Sequence, residues 1–497
     1  MPPASIMIQG TGSNVGKSLI VAGLCRLFAR QGIKAVPFKP QNMSNNAAVS
    51  IEGGEIGRAQ ALQAKAANLP ASIHMNPILL KPQSNQHSQI IVQGKLFATC
   101  RARDYGNYKQ LLLEKALESY DLLSQNADIM LIEGAGSPAE INLRDNDIAN
   151  MGFAEQINAP VLLIGDIDRG GVIASLIGTH HILSDADKMR IKAFAINRFR
   201  GDQSLFRGAS HSIAQATGWH DAGIIPWFDA ANRFPAEDSQ DLAQKYNAHK
   251  PYKRKHGQLH IVVPRLNSIA NFDDLDPLAA ETGVRLSLID AGHALPLDAD
   301  MILLPGSKNT ISDLVHFKAQ GWHHDLYALH RHGCFILGLC GGYQMLCTQI
   351  HDPEGIESSH KQIAGLGLLD CETTLTAPKI TRAITARSPF TGDSVEGYEI
   401  HMGRTQGADC ANPVLTHING DQARIDGAIA PDGLVMGCYM HGLFHQDQFR
   451  HHFIAKLGGK TQDYSHEASL QAGLDELADH LETHLDIEKI KHISNDK

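Results

Sequence analysis

Two short strings hold the residue types that could do chemistry. At 336–346 the chain reads ILGLCGGYQML, an apolar run that enters a Gly-x-Cys-Gly-Gly turn and continues as a helix-like segment. A strand that delivers a cysteine to a tight turn at a helix start lifts the thiol out of the packing. Free N–H groups and the helix dipole then favour its thiolate. Free cysteine is also among the most buried residue types, so Cys340 reads either as a nucleophile or as a core thiol. A nucleophile needs a base and an oxyanion hole. His441 in GCYMHGLF follows an apolar run and is the candidate base. The backbone N–H groups of Gly341 and of Gly306, in ILLPGSKNT, are the candidate oxyanion donors. His441 and His445 also have the i,i+4 spacing of a metal pair, but no HEXXH glutamate or third ligand accompanies them.

The second string, IMIQGTGSNVGKSLIVAGLCRLF, places a strand, a glycine-rich loop and an apolar helix in the order of a P-loop. Gly10, Gly12 and Gly16 would let the backbone cradle phosphate, Lys17 would neutralise it, and Ser18 would ligate magnesium. Five residues separate Gly10 from Gly16, one more than the strict Walker A spacing. Glu133 follows the apolar ADIMLI and precedes Gly-Ala-Gly, a place for a charge that packing does not explain, and it reads as a metal ligand.

The elements that must position these residues are those of two α/β domains. Apolar runs SIMIQG, KAVPF, ADIMLIEG, APVLLIGD, IKAFAIN and AGIIPW alternate with helix-like segments, the pattern of a parallel sheet covered by helices, and predict a first domain over 1–232. The polar stretch 233–257 lacks apolar periodicity and reads as a linker. Runs LHIVV, VRLSLID, ADMILLPG, CFILGLC and LVMGCYMHG predict a second α/β domain over 258–455. Leu470, Leu474, Leu477, Leu481 and Leu485 give the tail, 456–497, the stripe of an amphipathic helix that packs on the body.

Composition excludes several classes. The 497 residues are 43% hydrophobic, enough for more than one core, and 44 Lys and Arg against 53 Asp and Glu give a net charge of −9. That balance argues against a nucleic-acid partner. No apolar stretch approaches the roughly 20 residues of a membrane span, and MPPASIMIQG lacks the basic start of a signal peptide, so a cytoplasmic enzyme without a membrane partner is expected. The eight cysteines form no CxxC pair and are expected to be reduced.

The long P-loop spacing resembles that of the dethiobiotin synthetase group, which activates carboxylates with ATP. That resemblance implies that Lys39, in VPFKPQN, helps bind phosphate and the reacting carboxylate, that Glu133 binds magnesium, and that Asn197 contacts adenine. Taken together, FKPQNMSNN, EGAGSPAEINLRDNDIANMG, GDIDRGG, INRFRGD, LPGSKNT, GLCGGYQML, GYEIHMG and YMHGLF closely resemble the cobyric acid synthases, glutamine-hydrolysing amidotransferases of cobalamin biosynthesis. The resemblance runs from the P-loop to about residue 450. It implies an ATP-dependent synthetase domain, a flavodoxin-like class I-type glutaminase domain, and L-glutamine and a corrinoid acid as substrates, with ATP and Mg2+ required. Arg144, Arg169, Arg198 and Arg200, in loops after predicted strands, would be docking cations for a substrate rich in carboxylates.

Ordinary class I glutaminases place a glutamate two residues after the histidine. Here Leu443 stands there, as a cobyric or cobyrinic acid synthase would have it, and Glu399 and His401 in GYEIH are candidates to orient His441. The nearest rival is cobyrinic acid a,c-diamide synthase, against which PAEINLRD and GDIDRGG weigh. A partitioning-type ATPase switch with a glutamine-sensing domain is more distant, because its extra lysine is missing where Thr11 and Gly12 stand. The sequence does not specify an oligomeric state.

Overall fold

The structure is a computed structural model that describes residues 3–82, 87–236, 242, 246, 257–358, 360–418 and 424–496. Most of the predicted linker, 233–257, lies outside the described residues. The chain divides into two compact units, one of residues 1–44, 50–234 and 470–497, the other of 45–49 and 235–469.

In the first unit β1 (Ala4–Gly10), β2 (Ala35–Phe38), β3 (Ile129–Glu133), β4 (Val161–Asp166), β5 (Ile191–Phe199) and β6 (His220–Pro226) form one sheet in the order β6-β5-β4-β1-β3-β2. Every neighbouring pair is parallel. Near-continuous apolar strands suit a sheet buried on both faces, and all six residues after Ala4 in β1 are buried. The register sets Ile8 beside Glu133 and Asp166 beside Asn197, so these polar groups gather at the carboxyl ends of the strands. Helix α1 (Lys17–Arg30) buries Ile20, Val21, Leu24, Leu27 and Phe28, one face at helical spacing. Helix α2 (Arg58–Ala66) buries Gln60 and Gln63 alongside Leu62 and Ala66.

In the second unit β7 (Leu259–Pro264), β8 (Val284–Ile289), β9 (Met301–Leu304) and β10 (Phe335–Leu339) lead to helix α3 (Gly341–Leu346). Strand β11 (Ser394–His401), β12 (Val435–Cys438) and β13 (Met440–His441) follow. The main sheet runs β8-β7-β9-β10-β12 in parallel and is closed by the short antiparallel strand Ala428–Ile429. Strand β11 belongs to a separate antiparallel sheet, in which it pairs with β13.

The tail does not stand apart. Helices α4 (His466–His484) and α5 (Ile487–Asn495) contribute Leu474, Leu477, Leu481 and Ile490 to the apolar cluster that holds Leu24 and Phe28 of α1. Gly23 permits this contact, because a β-carbon there would lie 2.5 Å from Leu481 Cδ1. The Arg26 guanidinium seals the edge with Asp475 at 2.7 Å. No helix among the described residues is long and apolar enough to cross a membrane.

Candidate active sites

In the first unit β1 ends at Gly10, and a β-carbon on Gly10 would meet Val15 Cγ2 at 2.5 Å. Gly16 closes the loop at φ 97°, a left-handed conformation that costs glycine little, and caps α1 with its backbone alone. Lys17 Nζ donates to the carbonyls of Gly12 at 3.0 Å and Gly136 at 3.2 Å, so it arches over the loop in which phosphate would sit. Asn197 donates its amide to Val15 O at 2.7 Å and braces the loop from the end of β5.

Glu133 is the hub of this site. It is buried, with Oε1 accepting from Ser18 Oγ and from Lys39 Nζ, each at 2.7 Å. Its Oε2 accepts from Gln63 at 2.6 Å and Gln60 at 3.3 Å. Ser18 Oγ and Glu133 Oε1 are hard oxygen donors that converge at the foot of the P-loop, a set that fits Mg2+ completed by phosphate and water. Sequence reasoning missed the two glutamines. Their signal was a pair of i,i+3 amides within RAQALQAKA, which places them on one helix face.

The four arginines are each matched to carboxylates. Arg144 is the most committed, held by both oxygens of Asp187 at 2.9 Å and by Glu155 at 2.8 Å, and hydrogen bonding to Asp187 pushes its guanidinium above its usual range. Its charge therefore ties the loop after β3 to the segment before β5. Asp166, at the end of β4, pairs with Arg198 at 3.0 Å and Arg169 at 3.8 Å. Arg200 pairs with Asp168 at 2.8 Å and lies 3.6 Å over the Trp227 ring.

In the second unit Cys340 stands between β10 and α3 at φ 49°, the strained left-handed geometry of a nucleophile elbow. Its Sγ lies 3.6 Å from Ile400 O on β11. Gly341 abuts Ser307, where a β-carbon on the glycine would reach Ser307 N at 2.8 Å, and one on Gly306 would reach His441 Cε1 at 2.9 Å. The two candidate oxyanion loops thus meet beside the Cys340–His441 pair. Gln344 on α3 donates to Met402 O at 2.9 Å, fixing the helix against the residue after β11.

The partner of His441 is Asp274, which the sequence reading did not identify. Asp274 Oδ2 lies 2.7 Å from His441 Nδ1, and its Oδ1 accepts from Gly442 N at 2.6 Å. Burial acts against a charged His441, but Asp274 and then Cys340 outweigh it and push the imidazole up to about 10. The only signal for Asp274 was an acidic pair set among apolar residues in NFDDL.

Glu399 and His401 do not orient His441. Register pairs Tyr398 with His441, so Tyr398 shares its face and stacks on it at 5.4 Å, while Glu399 points to the opposite face. There Glu399 is bound by Arg382 at 2.7 Å, and His401 stacks on Tyr439 at 3.7 Å. His445 is not a helical partner of His441 either, since it lies past β13 and stacks on His466.

Comparison with known proteins agrees with this division. Residues 6–241 match the CobQ/CobB/MinD/ParA nucleotide binding domain, and residues 260–449 match the CobB/CobQ-like glutamine amidotransferase domain. The chain is 53% identical over 487 residues to the cobyric acid synthase of Paracoccus denitrificans, covering 98% of each. It belongs to the cobyric acid synthase family. A second member, from Brucella canis, is 51% identical over 97% of this chain and 98% of its own length. Cobyric acid synthases are enzymes of glutamine-dependent amidation in cobalamin biosynthesis, and both family domains lie where the two sites were found.

Proposed function

We propose that this chain uses ATP and L-glutamine to amidate four propionate carboxylates of adenosylcobyrinic acid a,c-diamide, giving adenosylcobyric acid. The supporting observation is the presence in one chain of an elbow cysteine beside an Asp274–His441 pair and a P-loop whose Ser18 contacts the Lys39–Glu133 pair.

In the glutaminase unit Cys340 Sγ attacks the glutamine amide carbon, and the N–H groups of Gly341 and Gly306 receive the oxyanion. Asp274 fixes Nδ1 of His441, which leaves Nε2 to give its proton to the departing ammonia. With its imidazole pushed up to about 10, His441 carries that proton at neutral pH. Water then cleaves the thioester to glutamate, and Cys340 is regenerated.

In the synthetase unit a propionate oxygen attacks the γ-phosphorus of ATP and ADP leaves. Ammonia then attacks the acyl phosphate carbon and phosphate departs, leaving the amide. Lys17 and the loop N–H groups hold the transferred phosphate. Ser18 and Glu133 would hold Mg2+, which supplies charge neutralisation on the phosphates when bound. Lys39, 2.7 Å from Glu133, exchanges that carboxylate for phosphate or propionate. Arg169, Arg198 and Arg200 serve as docking cations for the remaining carboxylates.

The test is incubation with ATP, Mg2+, glutamine and a panel of corrinoid acids, with products identified by mass spectrometry. Four successive amidations of the a,c-diamide are expected. Conversion of cobyrinic acid to its a,c-diamide alone would move the chain to the rival activity, and phosphate release without any amide would reject both.

A further inference from the structure

Three cysteines that the glutaminase chemistry leaves unused gather behind α3. Cys347 Sγ lies 3.0 Å from Cys371 Sγ, and both thiols are free and buried. A disulfide bond is roughly 2.0 Å long, so the pair needs to close by only about 1 Å. Cys410, the one cysteine of the eight that is only half-buried, lies three residues past Gly407, which faces Cys371 across an antiparallel strand pair. Tyr343 Oη approaches Cys410 Sγ at 3.7 Å. Interaction with Cys371 draws Cys410 below the usual thiol range against the opposing effect of burial, whereas Cys347 first, and then Cys410 and burial, push Cys371 up. The three sulfurs are therefore graded in exposure, from one half-buried thiol to two sheltered ones.

We propose that Cys410, Cys371 and Cys347 form an oxidation relay that deposits a Cys347–Cys371 disulfide when the chain meets a peroxide. Cys410 thiolate attacks one peroxide oxygen, the O–O bond breaks, and Cys410 sulfenic acid and hydroxide form. Cys371 sulfur attacks the sulfenic sulfur and water leaves with the Cys371 proton, giving a Cys371–Cys410 disulfide. Cys347 sulfur then attacks Cys371 Sγ, the Cys371–Cys410 bond breaks and Cys410 leaves as thiolate, while the Cys347 proton joins the hydroxide as the second water. In total two thiols lose two electrons and two protons, and hydrogen peroxide becomes two waters. The final bridge fastens the end of the nucleophile helix, because Cys347 directly follows α3 and its Sγ lies 3.6 Å from Tyr343 O.

The test uses the full chain carrying Cys340→Ser, so that the glutaminase nucleophile takes up no oxidant. Protein treated with a few equivalents of hydrogen peroxide is quenched over time by alkylation, digested without reduction and mapped by mass spectrometry. A Cys371–Cys410 linkage should appear first and decay into a Cys347–Cys371 linkage that dithiothreitol removes. Adding Cys410→Ser should slow the final linkage by about tenfold or more, and adding Cys347→Ser should arrest the relay at Cys371–Cys410. The proposal is overturned if Cys410 ends as sulfinic acid with no cross-linked peptide. It is equally overturned if Cys347–Cys371 forms as fast without Cys410, or appears before any Cys371–Cys410 linkage.

Discussion

Each unit builds its site around one buried carboxylate, and the two are held in opposite ways. Glu133 accepts from four side chains on α1, α2 and the end of β2, one of them a lysine. Asp274 faces one imidazole and one backbone N–H. A carboxylate shared among several flexible donors can release some of them to a metal or a phosphate, as a site that binds and discharges ATP requires. A carboxylate clamped by backbone and ring keeps one geometry, which suits a histidine that shuttles a proton over a fixed path. The difference lies between exchangeable electrostatics and fixed orientation.

The largest expected effect comes from Lys17→Ala. It should lower amidation by about 10³-fold or more with glutamine and with ammonium salt alike, while the protein stays folded. Near-normal ATP-dependent amidation by this variant would falsify the phosphate site. Cys340→Ala separates the two units. Glutamine-dependent amidation should fall by about 10³-fold or more while amidation driven by high ammonium persists, and His441→Ala should follow it. If Cys340→Ala lowers both nitrogen sources equally, the thiol is structural and the comparison collapses.

Asp274→Asn sharpens the contrast from the orienting side. A loss of about 10²-fold in glutamine hydrolysis, with ammonia use spared, is expected, and the alkaline limb of its pH profile should move to lower pH. The sign follows from His441, whose folded value of about 10 lies above the ordinary 6.5. Its stabilising contribution is whole below about 6.5 and is lost as pH rises toward 10, so urea midpoints of the parent should decline over that window more steeply than those of the variant. Equal slopes would remove Asp274 from its role.

Glu133→Gln, by contrast, keeps the shape and removes the charge that the shared donors, and the proposed magnesium, need. A fall of about 10²-fold, partly recovered by excess magnesium, is expected. A magnesium titration that matches the parent would return Glu133 to a structural role. The smallest effect on chemistry belongs to Leu481→Ala, which should cost about 2–4 kcal/mol by leaving a cavity against α1 and lower both activities only through the folded fraction. Unchanged denaturant midpoints would show that the tail does not support the synthetase core.

By itself the sequence determined whatever depends on neighbours along the chain. The P-loop and the cysteine elbow are strand–turn–helix units, so their strings carry both the turn geometry and the candidate residue it presents, and alternating apolar runs announced two parallel sheets. The positions of Lys39 and Glu133 were legible for the same reason, since each stands at the end of an apolar run, although only the resemblance suggested a role for Lys39. Only the tertiary structure decided which distant groups meet. Asp274 reaches His441 across 167 positions, and no local pattern encodes a pairing between a short 3-10 turn and a strand so distant in the chain. Glu399 was the nearer candidate in the string, but strand pleating turned it away, because successive side chains face opposite sides of a sheet. The tail's leucine stripe revealed a buried face without naming its cover. That was settled when α4 and α5 packed on α1, for an apolar stripe is complementary to any apolar surface and only shape and chain reach select one.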